Sequence, residues 1–140
     1  HRRGTASTMQ QDTHYDDLLG EVYGFLEKQV RVARSRGIEH VAVDPGLGFG
    51  KSREGSLALL GQLNRFSGLG CPLVVGISRK SFIWRTLGLS VEESLEGSLA
   101  AAVLAVGDMD AQVLRVHDVA ETLRAVRLVE AVRGEVGVRC

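Results

Sequence analysis

Residues 41–52 read VAVDPGLGFGKS: an apolar run, Val41-Ala42-Val43, that stops at Asp44-Pro45-Gly46, where proline and glycine force a turn. A short apolar run bounded in this way predicts a strand of the fully buried kind. On its amino side, apolar residues at Leu18, Leu19, Val22, Phe25, Leu26 and Val30 fall at spacings of three and four. They predict a helix from Asp16 to about Arg36, ended by Gly37. On its carboxyl side the alternation repeats. A helix runs through Leu57, Leu60, Leu63 and Phe66, then come a run Leu73-Val74-Val75-Gly76, more helix, a run from Gln112 to Val116, and a last helix to about Arg133. Ser90 with Glu93 and Asp118 with Glu121 have the capping-box spacing and mark two helix starts. Strict alternation of this kind implies an α/β chain of parallel strands with helical crossovers, in a doubly wound sheet or in a barrel. An eight-stranded barrel typically takes about 250 residues, so a chain of 140 with three strands supplies roughly half of one.

The length fits one ordinary domain. Seventeen basic residues balance seventeen acidic ones, so no global charge favours nucleic acid or an anionic membrane surface, and a small partner or a locally charged pocket is expected instead. Cys71 and Cys140 stand without a second thiol or a histidine at ligand spacing, which argues against a zinc site and a disulfide framework and points to a reducing cytoplasm. No run of eighteen apolar residues and no signal-peptide pattern is visible, so a soluble protein is expected. The opening HRRGTASTMQQDT, from His1, is polar and turn-like, with no strand or helix before Tyr15; it reads as a cut inside a larger protein.

Parallel α/β proteins bind ligands at the carboxyl ends of their strands, and all three runs end in unusual sequences. The first is DPGLGFGKS, residues 44–52. Its small residues suit a loop that brings bare backbone close to a flat ligand, and the Asp44 carboxylate can pair in a fork with a guanidine-like heterocycle edge such as a pterin carries. The competing reading is that Asp44 merely starts a turn before proline. Gly50-Lys51-Ser52 imitates the end of a phosphate-binding P-loop, but the first required glycine falls on Pro45, which removes a backbone donor. The glycines at 46, 48 and 50 also miss the dinucleotide spacing.

The second segment, GISRKSF at 76–82, gathers Ser78, Arg79, Lys80 and Ser81 where a strand gives way to a helix, a combination that favours anions or polarised carbonyls. A solvated helix cap is the alternative. In the third, RVHDV at 115–119, Arg115 and His117 are two apart on a strand and project to one face, with Val116 on the other. An arginine and a histidine facing a barrel interior call for an anion to meet them. Asp118 is read as the cap of the last helix.

Taken in order, HRRGTASTMQ, DPGLGFGK, GISRKSF and RVHDV resemble the dihydropteroate synthases along all 140 residues. The resemblance implies the carboxyl-terminal half of a (β/α)8 TIM barrel, from the end of the fifth strand onward, so that residues 1–140 form a partial pterin-binding domain whose amino-terminal half is absent. It implies a transferase of folate biosynthesis, the target of sulfonamides. Such an enzyme condenses 6-hydroxymethyl-7,8-dihydropterin pyrophosphate with para-aminobenzoate to give 7,8-dihydropteroate and pyrophosphate. By the same resemblance Asp44 and Lys80 contact the pterin, Arg115 and His117 grip the pyrophosphate, and Phe49 and Ser81 border the para-aminobenzoate site. Lys80, Arg115 and His117 are the expected catalytic residues. Magnesium is the implied cofactor, its ligand expected in the missing half, and no metal ligand is expected here. The resemblance further implies a homodimer for the complete enzyme. Leu47 stands where phenylalanine is frequent in the family. Two other readings compete: a pterin-binding methyltransferase-type barrel domain, which would have no pyrophosphate to bind, and a non-catalytic fragment that only binds a partner chain.

Overall fold

The computed structural model describes residues 8–9 and 13–134. Most of the opening segment and Cys140 therefore lie outside the described residues, apart from a turn at Thr8 and Met9. Five α-helices, α1 (Leu18–Ser35), α2 (Arg53–Leu60), α3 (Ser81–Leu87), α4 (Leu95–Gly107) and α5 (Val119–Val132), alternate with strands β1 (Val74–Gly76) and β2 (Val113–Arg115). A 3-10 helix, Leu63–Leu69, precedes β1. The two strands are parallel, with Val74 opposite Val113, Val75 opposite Leu114 and Gly76 opposite Arg115. On the other side of β1, Val43 bridges Leu73 in parallel: its carbonyl accepts the Val74 N–H at 2.8 Å and its own N–H donates to Pro72 at 2.9 Å. Three chain segments thus run side by side with helices between them in sequence, as the alternation predicts.

Burial follows position. β1 lies between two neighbours, and Val75 and Gly76 are buried; β2 has one neighbour, and Val113 and Arg115 are exposed while Leu114 is partly covered. The stripe of α1 that carries Val22, Leu26 and Val30 packs into a single core with Leu59, Leu63, Phe66, Leu73 and Val75. α5 is covered least: Thr122 is its one buried residue, and Val119, Leu123, Leu128 and Val132 are exposed. A cleft of about 550 Å³ opens beside it, lined in part by Leu114, Val116, Leu123 and Val126. No helix among the described residues is long and apolar enough to cross a membrane.

Several boundaries differ from the sequence reading. The strand expected at 41–43 reduces to the bridge at Val43, because a ladder needs a partner and only that residue reaches one. The helix expected through Phe66 stops at Gly61 and resumes as 3-10 turns; apolar residues three apart satisfy either helix type, so the pattern could not separate them. The helix expected between the second and third runs is two helices, parted at Gly88, whose φ of 69° suits a residue without a Cβ. The two predicted helix starts fare differently. Glu93 does accept the Ser90 N–H at 3.1 Å, yet α4 begins only at Leu95. Asp118 does stand at the start of α5, but its side chain makes no bond to that helix.

Candidate functional site

The loop after Val43 is built on three glycines in the left-handed region, with φ of 74°, 75° and 60° at Gly46, Gly48 and Gly50. At every second residue the chain thus takes a turn that a Cβ would disfavour. Asp44 opens it as a turn: Oδ1 accepts the Gly46 N–H at 2.7 Å. Tyr15 donates its hydroxyl to the Gly50 carbonyl at 2.9 Å, and the Gly48 N–H donates to Ser56 Oγ at 3.2 Å. Inside the loop, Lys51 is only 4% exposed, and its Nζ donates to the carbonyls of Gly46 at 2.9 Å and Phe49 at 3.0 Å. Burial pulls its pKa down to about 8, with Asp44 opposing the shift and the Lys80 cation adding to it. Sequence reasoning met Lys51 only as part of a failed P-loop. That its ammonium turns inward depends on carbonyl directions which a residue pattern does not encode.

The loop after β1 does not form the single cationic cluster expected of it. Ser78 is buried and its Oγ lies 3.1 Å from His117 Nδ1. Arg79 is turned the other way and pairs with Asp118, Nη2 to Oδ1 at 2.6 Å and Nε to Oδ2 at 3.2 Å. Lys80 alone points at the glycine loop, donating to the Leu47 carbonyl at 3.0 Å with Nζ 3.5 Å from the centre of the Phe49 ring. Its pKa falls to about 8 because it is partly buried and because the Arg115 cation is near; Asp44 opposes that fall. Ser81 begins α3 and, with Gly48, Lys51, Ser52 and Arg85, lines a cleft of about 480 Å³ next to the loop.

Arg115 ends β2, and its guanidinium lies across Gly76, with Cζ 2.9 Å from where a Cβ on that glycine would stand. Arg115 and His117 are exposed, whereas Leu114 and Val116 line the cleft beside α5, so the expected alternation of faces holds. Arg115 has no ion pair with a carboxylate among the described residues. The strand ends thus bring Asp44, Phe49, Lys80 and Arg115 into one neighbourhood. His117 joins it through Ser78, and Ser81 borders the adjoining cleft. An acceptor and two cations set at the ends of parallel strands can hold a flat polar ring together with an anionic group. Among the described residues no group of three or more His, Cys, Asp or Glu could hold a metal ion.

Parallel strands, crossover helices and a glycine-rich loop beside two cations define an α/β protein with a candidate ligand site at the strand ends. The chain belongs to the pterin binding enzyme family, whose model matches residues 1–117. The relatives it resembles are dihydropteroate synthases. That of Escherichia coli K12 is 43% identical over 133 residues, which cover 94% of this chain and 47% of the relative. Two structures of the dihydropteroate synthase from Thermus thermophilus superpose closely. The complex with 4-aminobenzoate gives a TM-score of 0.91 at 40% identity, over 96% of this chain and 55% of that one. The complex with 6HMPPP gives 0.88 at 41% identity, over 93% and 52%. The chain spans about half the length of the curated relatives it matches.

Proposed function

We propose that residues 1–140 are the carboxyl-terminal half of a (β/α)8 barrel and carry the pyrophosphate grip and part of the pterin pocket of a dihydropteroate synthase. The observation that carries this reading is the meeting of Asp44, Lys80 and Arg115 at the ends of three adjacent parallel segments, where the Arg115 cation and the Asp44 carboxylate both act on the Lys80 ammonium. The relatives in complex with 6HMPPP and 4-aminobenzoate support it.

In this assignment Asp44 accepts from the ring nitrogen and amino group of the pterin, and Lys80 contacts the same ring. Arg115 and His117 hold the pyrophosphate, and Phe49 and Ser81 border the para-aminobenzoate. The reaction breaks the bond between the pterin methylene carbon and the pyrophosphate oxygen, whose electron pair leaves with pyrophosphate. The amine lone pair of para-aminobenzoate forms the new carbon–nitrogen bond and the nitrogen gives up a proton. No protein nucleophile takes part. Arg115 lowers the barrier by meeting negative charge that grows on the leaving oxygen. A calorimetric titration of the chain with pterin pyrophosphate tests the reading: Asp44→Asn should weaken binding by about 1.5–3 kcal/mol, the scale of a hydrogen bond to a charged group. Unchanged affinity would reduce Asp44 to the start of a turn.

A further inference from the structure

The loops that follow β1 and β2 are joined twice. Ser78 Oγ accepts the His117 N–H at 3.3 Å and lies 3.1 Å from His117 Nδ1. One residue further on each loop, Arg79 grips both oxygens of Asp118, at 2.6 and 3.2 Å. Arg79 takes this place with φ at 58°, a left-handed conformation uncommon for a residue with a Cβ. Its N–H donates to Ser98 Oγ at 3.0 Å, so α4 pins the same peptide. Strained residues persist where their surroundings overdetermine them, and they gather at functional sites.

Neither helix capping nor core stability accounts for the pair. Asp118 makes no side-chain bond to α5. The side chains are 48% and 20% exposed, where an ion pair alone adds little to stability. The bridge joins the two loops beside residues of the candidate site. Lys80 follows Arg79 on one loop, and His117 precedes Asp118 on the other.

We propose that Arg79 and Asp118 are positioning residues, whose bridge holds the Lys80 loop and the Arg115–His117 strand end at the spacing needed to meet a heterocycle and the anionic group attached to it as one ligand. This rests on the function proposed above. Two grips on a linked ligand reinforce each other only when their separation matches its span; if the separation wanders, each piece still binds but the gain from linkage is lost.

The test uses Asp118→Asn, Arg79→Gly and the parent chain, with two readouts. The first needs no ligand: the Phe49 ring shifts the resonances of the Lys80 ε protons, because Nζ stands over its face. Asp118→Asn, made on the other loop, should move those resonances toward the values of an unconstrained lysine; if they stay in place, the bridge does not position Lys80 and the proposal is overturned. Arg79→Gly tolerates the left-handed backbone while removing the guanidinium, so it should behave like Asp118→Asn. Parent-like behaviour would show that only the backbone matters, and would also overturn the proposal. The second readout is calorimetric titration with pyrophosphate, with a pterin lacking pyrophosphate, and with the pterin pyrophosphate. The linked ligand should lose roughly ten-fold in affinity and either piece alone less than about two-fold. Equal losses for all three would mean general support of the fold and would overturn the proposal. A parent chain that binds none of the three would refute the function assigned to the site, and the Lys80 resonances would still decide the bridge.

Discussion

At Gly76 the chain has room for a hydrogen and nothing larger, because the Arg115 guanidinium lies where a Cβ would stand. A methyl there meets the far end of a flexible side chain, so Gly76→Ala should fold and swing Arg115 off its place. The expected outcome in a calorimetric titration is a loss of about 1.5 kcal/mol or more in pyrophosphate affinity, with a pyrophosphate-free pterin nearly unaffected. Equal losses for both ligands would mean that the strand itself has shifted. Lys51 makes a different kind of prediction. Both Lys51 and Lys80 have pKa values lowered from 10.5 to about 8, so between those values the unfolded chain binds more protons than the folded one. Stability should therefore rise as pH climbs from about 8 toward 10.5; the penalty for burying the charges is fully present below that window and is relieved across it. The rise should be on the order of 3–5 kcal/mol, since one pKa unit corresponds to about 1.4 kcal/mol and the partly exposed Lys80, screened by solvent, adds less than Lys51. Lys51→Met should flatten much of it in denaturant melts at several pH values. A rise of unchanged size in that variant would assign the effect to other groups.

Helices α3 and α4 meet at a glycine for a packing reason. A Cβ on Gly97 would come within 2.6 Å of Ile83 Cγ2 and 2.7 Å of Leu87 Cδ1. Gly97→Ala should cost about 1–3 kcal/mol, the scale of overpacking, and would loosen the base of α3, the helix that begins at Ser81. Gly24, exposed in the middle of α1 with nothing within 4 Å of an added Cβ, is the control: Gly24→Ala should stabilise by about 0.5–1 kcal/mol. Urea melts of the two variants should shift in opposite directions, and a shared direction would contradict the packing argument. The caps also separate by mechanism. Ser52 caps α2 by accepting the Gly55 N–H at 3.0 Å, so Ser52→Ala should cost about 1 kcal/mol. Asp118 gives its oxygens to Arg79 and leaves α5 without that help.

For the molecule as a whole, the strand ends gather Asp44, Lys80 and Arg115 but, among the described residues, no group of three or more His, Cys, Asp or Glu that could hold a metal, and the matched relatives are about twice as long. The 140-residue chain given both substrates and magnesium should therefore form no dihydropteroate. Turnover that survives repurification and disappears in Lys80→Ala would overturn that expectation. The sequence by itself determined the alternation of strands and helices, the three strand-end segments and the family, because apolar period and turn residues are local properties of the chain. It also placed Arg115 and His117 on one face, since alternation along a strand needs no neighbour. It could not decide which partner each polar side chain takes. Asp118 sits at capping-box spacing, yet Arg79, 39 residues earlier, claims it; Lys51 looks like a phosphate lysine, yet it turns into its own loop. Nor could it separate α-helix from 3-10 turns after Leu60, or a paired strand from a single bridge at Val43, because those depend on where neighbouring backbone lies. Hydrogen bonds and charges are satisfied by whatever stands within about 3 Å, and only the tertiary structure determines what that is.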